Sequence, residues 1–147
     1  MANILSGKEI SAKLIRFGDI NEYDYVSVWV PKYEILRVCD FLKNDSASKF
    51  MFLRSISAVD YIEYFEIIYH LVSLEFNISC VVKTNCFGRS DAFLPSVTSI
   101  WTGADLQERA IWDLMGVRFE GHPNMKRILL WEGFEGHPLR KDFMGSN

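Results

Sequence analysis

Apolar and polar positions follow two rhythms in the first hundred residues of this chain. From Tyr64 to Leu74 the odd positions Phe65, Ile67, Tyr69 and Leu71 are apolar, with Glu66 and His70 between them. A repeat of two puts such residues on one face of a half-buried strand. The same alternation runs from Tyr25 to Val30, where Val26, Val28 and Val30 face away from Tyr25, Ser27 and Trp29, and it returns in Ile78 to Thr84 with Ile78, Cys80 and Val82 inward. Phe50 to Val59 is a further apolar strand. Helical spacing marks Lys8 to Phe17, through Ile10, Leu14 and Phe17, and Tyr33 to Lys43, through Ile35, Val38, Cys39 and Leu42. Pro31 stands where that second helix can start. Phe76-Asn77 is a turn, Asn85 to Ser96 a loop, and the short links between consecutive strands favour an antiparallel meander.

A third helix follows, with both ends marked. Thr102 is placed as N-cap, with Asp105 three residues on to complete a capping box, and Gly116 stops the helix in the left-handed conformation that glycine adopts without a Cβ clash. Leu106, Ala110 and Leu114, flanked by Ile111 and Met115, form the apolar stripe. Glu108, Arg109 and Asp113 fall on the other side. The pattern alone reads this as a solvated face with an Arg109–Asp113 pair worth a few tenths of a kcal/mol. The competing expectation is that Glu108 and Arg109 anchor the rest of the chain or a partner.

Beyond Gly116 the pattern breaks up. Gly121, Pro123, Gly133, Gly136 and Pro138 interrupt it, and only Arg127 to Trp131 has the composition of a short strand. Yet this stretch is rich in large apolar residues, which disordered segments lack, so it needs a surface to bury them. The element order αβαβββα predicts an α+β fold. Residues 1–116 make a two-layer core domain, with a mainly antiparallel sheet packed by helices. Residues 117–147 make an extended, irregular docking segment with too few regular backbone hydrogen bonds to hold itself together.

Composition narrows the function. A chain of 147 residues fits one domain, and 49% hydrophobic with 14% aromatic content exceeds what a core of that size demands, which suggests surfaces buried against other proteins. No basic run points to nucleic acid, and no apolar run approaches the ~18 residues of a membrane span. The opening MANILSGKEIS lacks the charged and apolar regions of a secretory signal. Cys39, Cys80 and Cys86 are odd in number and without CxxC spacing, which argues for reduced thiols rather than disulfides or an iron–sulfur site.

The run ERAIWDLMGVRFEGHPNMKRILLWEGFEGHPLRKDF resembles the signature of the C-subunit family of complex I-type NAD(P)H–quinone oxidoreductases, including the corresponding subunits of chloroplast and cyanobacterial NDH complexes and related membrane-bound dehydrogenases and hydrogenases. Glu108, Arg109, Asp113, Gly116, Phe119, both Gly-His-Pro triplets at 121–123 and 136–138, Arg127, Ile128, Leu129, Leu139, Arg140, Lys141, Asp142 and Phe143 match its pattern. The stretch from Ala58 to Glu75 resembles the family as well. Ala110, Met125, Lys126, Gly133, Phe134 and Met144 depart from the usual residues. The resemblance implies a non-catalytic structural subunit of the peripheral arm, locking together neighbours such as the B and D subunits, with the I subunit as a further candidate. FMN, iron–sulfur clusters and the quinone site would then lie in those neighbours, with no cofactor in this chain. It implies a place on the cytoplasmic, matrix or stromal side, peripheral to an energy-transducing membrane. The residues expected at subunit interfaces are Glu108, Arg109, Asp113, His122, Arg127, Trp131, His137, Arg140, Lys141, Asp142 and Phe143, with Arg140 paired to a carboxylate of a neighbour.

No nucleophile elbow or nucleotide loop is present, and Glu108 and Asp113, five apart on a helix, point in different directions. The alternative from another class is a metal-dependent hydrolase using His122, His137 and Asp142. Their spacing matches no metal motif, and each histidine sits in a Gly-x-Pro turn context.

Overall fold

The computed structural model describes residues 3–18, 20 and 22–145. One sheet holds two short strands from early in the chain and a meander that follows them. Strands β3 (Phe52–Asp60), β4 (Tyr64–Ser73) and β5 (Ile78–Phe87) are antiparallel neighbours, as the alternation predicts. Phe65, Ile67, Tyr69 and Leu71 are all fully buried, and Cys80, Val82, Thr84 and Cys86 oppose them from β5. Asn77, at φ 54°, turns the chain between β4 and β5.

Two short strands pair parallel to β5 on its other edge: β1 (Asn3–Ile4) against Ile78–Ser79, and β2 (Ser27–Trp29) against Val81–Lys83. The expected meander is thus only part of the sheet, which is mixed. Val26, placed by the alternation on one face with Val28 and Val30, is exposed, while Ser27 is buried with its hydroxyl on Asp24.

Helix α1 (Gly7–Lys13) is capped by Ser6, whose hydroxyl oxygen accepts from the Glu9 N–H and whose O–H donates to the Glu9 carboxylate, and a 3-10 turn follows over Ile15–Phe17. Helix α2 (Ile35–Asn44) buries Ile35, Val38, Cys39 and Leu42, the four positions its spacing marks. These helices and α3 (Ala104–Met115) share one apolar core with the sheet.

Besides β1, two elements escape the sequence pattern. The loop after β5 contains β6 (Phe93–Pro95), and past α3 comes β7 (Arg118–Glu120); the two pair parallel across the helix. Val117 and Phe119, assigned to the tail by pattern, therefore belong to the core. Arg127 to Trp131 forms no strand, because its backbone donors are turned onto a side chain of α3 instead.

Helix α3 also departs from its pattern. Thr102 does not cap it: Gly103 occupies that position, and no side chain caps the end. The stripe facing the core is Ala104, Glu108, Ile111 and Met115, while Leu106 is 57% exposed. Glu108 thus sits in the middle of an apolar face.

Candidate functional site

The tail from Gly121 onward is organised by carboxylates. At about 100° per residue, Asp113 projects about 140° away from Glu108 around α3, on the side opposite the core. It is nevertheless fully buried, because the tail covers it. One carboxylate oxygen accepts from the backbone N–H of Ile128, Leu129 and Leu130 at 3.1, 2.8 and 3.0 Å. The other accepts from Arg127 Nη1 at 2.8 Å. Arg127 also donates to the Asp113 carbonyl and, through Nη2, to the carbonyls of Phe134 and Gly136. Burial pushes the Asp113 carboxyl up, but the Arg127 hydrogen bond and the three backbone donors outweigh it and hold the group at about 2.

The same region finishes α3. The last carbonyls of a helix have no partner within it. Here Gly116 N–H takes that of Trp112, His137 Nδ1 lies 2.9 Å from that of Asp113, and Leu139 N–H takes that of Leu114. Gly116 is left-handed at φ 80°, and a Cβ there would lie 2.8 Å from the His137 ring and 3.1 Å from Arg140 Nη1. Both backbone strain and a close approach demand glycine.

A second buried carboxylate fastens the end of the tail. Asp60, at the end of β3, receives Arg89 in bidentate fashion at 2.7 and 2.8 Å and the backbone N–H of Ile62 and Lys141. Arg89 bridges onward to Asp142, which Arg140 grips through Nε and Nη2. Both guanidinium groups lie over the buried Phe65 ring, at 4.7 and 5.4 Å. The Arg89 hydrogen bonds hold Asp60 well below the usual carboxylate range, and those of Arg140 hold Asp142 at about 2.

The remaining polar residues divide between tail and core. Arg109 donates to the Lys126 and Arg127 carbonyls, so it anchors the tail. The expected Arg109–Asp113 surface pair does not form, since Asp113 takes Arg127. His122 places Nε2 3.0 Å from Asp105 and accepts from Asn124 N–H. Glu108 points the other way, to Ser96 Oγ and Val97 N–H; burial pushes its carboxyl up, and those two donors offset the rise only in part.

Several large apolar side chains of the tail remain on its outside, among exposed charged residues such as Lys126, Glu132 and Glu135. Leu129, Trp131, Leu139 and Met144 are exposed, Trp131 at 68% with its edge on Phe134 at 4.8 Å. Phe134 in turn stacks on Phe143.

Residues 28–147 match the family model for the 30 Kd subunit of the respiratory-chain NADH dehydrogenase. The chain belongs to that family. Among its relatives, the second NADH-quinone oxidoreductase C-subunit of Rhizobium meliloti is 44% identical over 117 residues, 78% of this chain and 63% of that protein. The NADH-quinone oxidoreductase C-subunit of Moorella thermoacetica is 43% identical over 122 residues, 82% of this chain and 80% of that one. The chain spans 63% and 62% of the first two curated relatives it matches. A chain in the structure of the membrane-bound sulfane sulfur reductase, an archaeal respiratory membrane complex, superposes with a TM-score of 0.71 at 28% identity, covering 93% of this chain and 85% of that one. The likeness thus begins upstream of Ala58, where the motifs first show it.

Most of the residues that carry the resemblance build the tail clamp. Arg109, Asp113, Gly116, Arg127, His137, Arg140 and Asp142 all take part in it, Lys141 through its backbone, while Glu108 belongs to the core. Sequence reasoning missed Asp60, Arg89 and Asp105, which bind the tail from distant positions. Asp60 does lie within the stretch from Ala58 to Glu75 that resembles the family, but only the fold shows what it holds. Arg140, expected to reach a neighbour's carboxylate, is paired with Asp142 of its own chain. The hydrolase alternative fails on geometry: His122 lies at Asp105 and His137 at Asp113, two helical turns or about 12 Å apart along α3. Asp142 is held by two arginines.

Proposed function

We propose that this protein is a non-catalytic structural subunit in the peripheral arm of a complex I-type quinone oxidoreductase, and that its tail docks on neighbouring redox subunits. The observation that carries this reading is the division of labour in the tail. Arg127 and the amides of residues 128–130 are committed to Asp113 and the Lys141 amide to Asp60, while Leu129, Trp131, Leu139 and Met144 are exposed on that fixed frame. A rigid apolar surface with a central aromatic is what interface hot spots consist of, and holding it in shape beforehand lowers the ordering cost of binding.

The B and D subunits, with the I subunit as a further neighbour, are the partners this reading assigns. They and the other redox subunits carry the FMN and iron–sulfur clusters that take electrons from NAD(P)H or ferredoxin to quinone. This chain's own donors suit a cluster poorly: three thiols, all buried, each pushed up by burial, where clusters bind four thiolates or their equivalents. Among the described residues no helix is long and apolar enough to cross a membrane. In this reading membrane association comes through the assembled complex, on the cytoplasmic, matrix or stromal side.

The test is the pair of variants Leu129→Ser and Trp131→Ala in the native complex. Both side chains are exposed, so the free chain should lose less than about 1 kcal/mol of stability. Loss of a hot-spot contact of about 2 kcal/mol lowers affinity about thirtyfold, so complex yield and quinone-reductase activity should fall together. Normal assembly of both variants would overturn the reading.

A further inference from the structure

The sheet ends at β3, whose outer edge pairs with no strand among the described residues. An antiparallel ladder turns alternate residues' N–H and C=O away from the neighbouring strand. On β3 these are Ile56 and Ala58, and the chain itself shows what the edge accepts. The Ile56 N–H donates at 2.6 Å to Oε1 of Gln107, reaching over from α3. A primary amide carbonyl thus lies where the backbone carbonyl of an added strand would lie. The register shifts at Leu53/Ser55, but from Ser55 to Asp60 the pairing is regular. Neither proline nor lysine, the usual guards of a strand edge, occurs in β3.

Two cavities lie along β3, one of them lined by Gln107. One, of about 240 Å³, lies between Ile56 and Ala58 on the strand and Ala110, Ile111 and Leu114 on α3, with Leu139 of the tail at its rim. The other, of about 360 Å³, runs past Met51, Phe52 and Trp101 to Lys43. Among the described residues, Lys43 is the one charged group lining either cavity.

We propose that the β3 edge takes an additional strand, an extended segment of a partner protein. The segment is apolar at alternate positions, where its side chains enter the groove beside α3. It carries an acidic residue at the end that reaches Lys43. Its backbone takes over the Ile56 N–H from Gln107 and adds the N–H and C=O of Ala58. The groove shares only Leu139 with the exposed apolar residues of the tail, and the proposal stands or falls independently of tail docking.

The experiment uses the full chain, labelled with 15N, and the blocked peptide Glu-Val-Thr-Val-Thr-Val as probe. Saturable binding should shift the Ile56 and Ala58 amide resonances and slow their exchange with solvent. Gln107→Ala, which vacates the edge, should tighten binding about two- to tenfold, the range of one net hydrogen bond. The same peptide N-methylated at the edge-facing amides should bind at least about tenfold more weakly, since main-chain bonds supply affinity in strand addition. Absence of binding at millimolar peptide, equal binding of the methylated peptide, or shifts centred away from Ile56 and Ala58 would overturn the proposal. So would a peptide-independent dimer protecting the same two amides, which would assign the edge to a second copy.

Discussion

Asp113→Asn keeps the side chain's volume and removes its charge. Whichever way the new amide turns, its NH2 group faces donors, either Arg127 Nη1 or the N–H groups of Ile128, Leu129 and Leu130. Breaking one side of a buried ion pair costs about 3–5 kcal/mol. The titration of the wild type gives a second figure. The carboxyl is held at about 2 against an ordinary 3.8, and at about 1.4 kcal/mol per pH unit this gap is worth about 2–3 kcal/mol. The second figure is smaller because a protonated carboxyl still accepts through its other oxygen, whereas the NH2 of an asparagine opposes donors directly. Because the folded-state value is depressed, this stability is present above pH ~3.8 and is lost as the pH falls from there through about 2. Urea unfolding of the isolated chain should therefore show a deficit of about 3–5 kcal/mol for the variant at pH 7, shrinking towards pH 2. The melting temperature should drop by on the order of 10 °C. A deficit below about 1 kcal/mol at pH 7, or one that does not change with pH, would refute the view that Asp113 organises the tail.

Two other substitutions test the remaining carboxylates. Arg89→Ala leaves Asp60 buried with only the N–H groups of Ile62 and Lys141, and since Arg89 is itself partly exposed the expected cost is about 2–3 kcal/mol in urea unfolding at neutral pH. That cost should vanish in strong acid, because Asp60, held below the usual range, contributes only above it. Glu108→Gln tests the opposite sign. The folded carboxyl is raised, so the folded state holds its proton longer than the unfolded chain does, and wild-type stability falls as the pH rises past ~4.5. A glutamine at this position cannot titrate, so unfolding measured at pH 4, 6 and 8 should show a flatter dependence for the variant; an unchanged slope would contradict the assignment.

Much of the fold was legible where one rhythm ran long enough. The odd positions of β4 and the four buried positions of α2 came directly from spacing, because a buried face leaves its period in the sequence. Strands β1, β6 and β7, of two or three residues, are too short to show a period, and the parallel pairing of β1 and β2 with β5 is set by distant contacts. Helix α3 misled for a physical reason. Glu108 and Asp113 look like a solvated face, since charged residues are rarely buried without partners, and their partners lie at Ser96, Val97 and residues 127–130. The motif residues of the tail were legible as a set. The way they fasten the tail was not, because it depends on Asp60 and Arg89, far away in the chain. The strand expected at 127–131 failed for the same reason: three of its amides face one carboxylate rather than a neighbouring strand.

Tail docking requires that another subunit cover the tail's exposed apolar residues in the working complex. The most direct measurement replaces Trp131 with the photo-crosslinker p-benzoylphenylalanine in the native oxidoreductase, followed by irradiation and mass spectrometry of the adducts. A covalent adduct between position 131 and a neighbouring redox subunit, formed in the assembled and active complex, is the predicted result. An active complex in which position 131 yields no intersubunit adduct would contradict it.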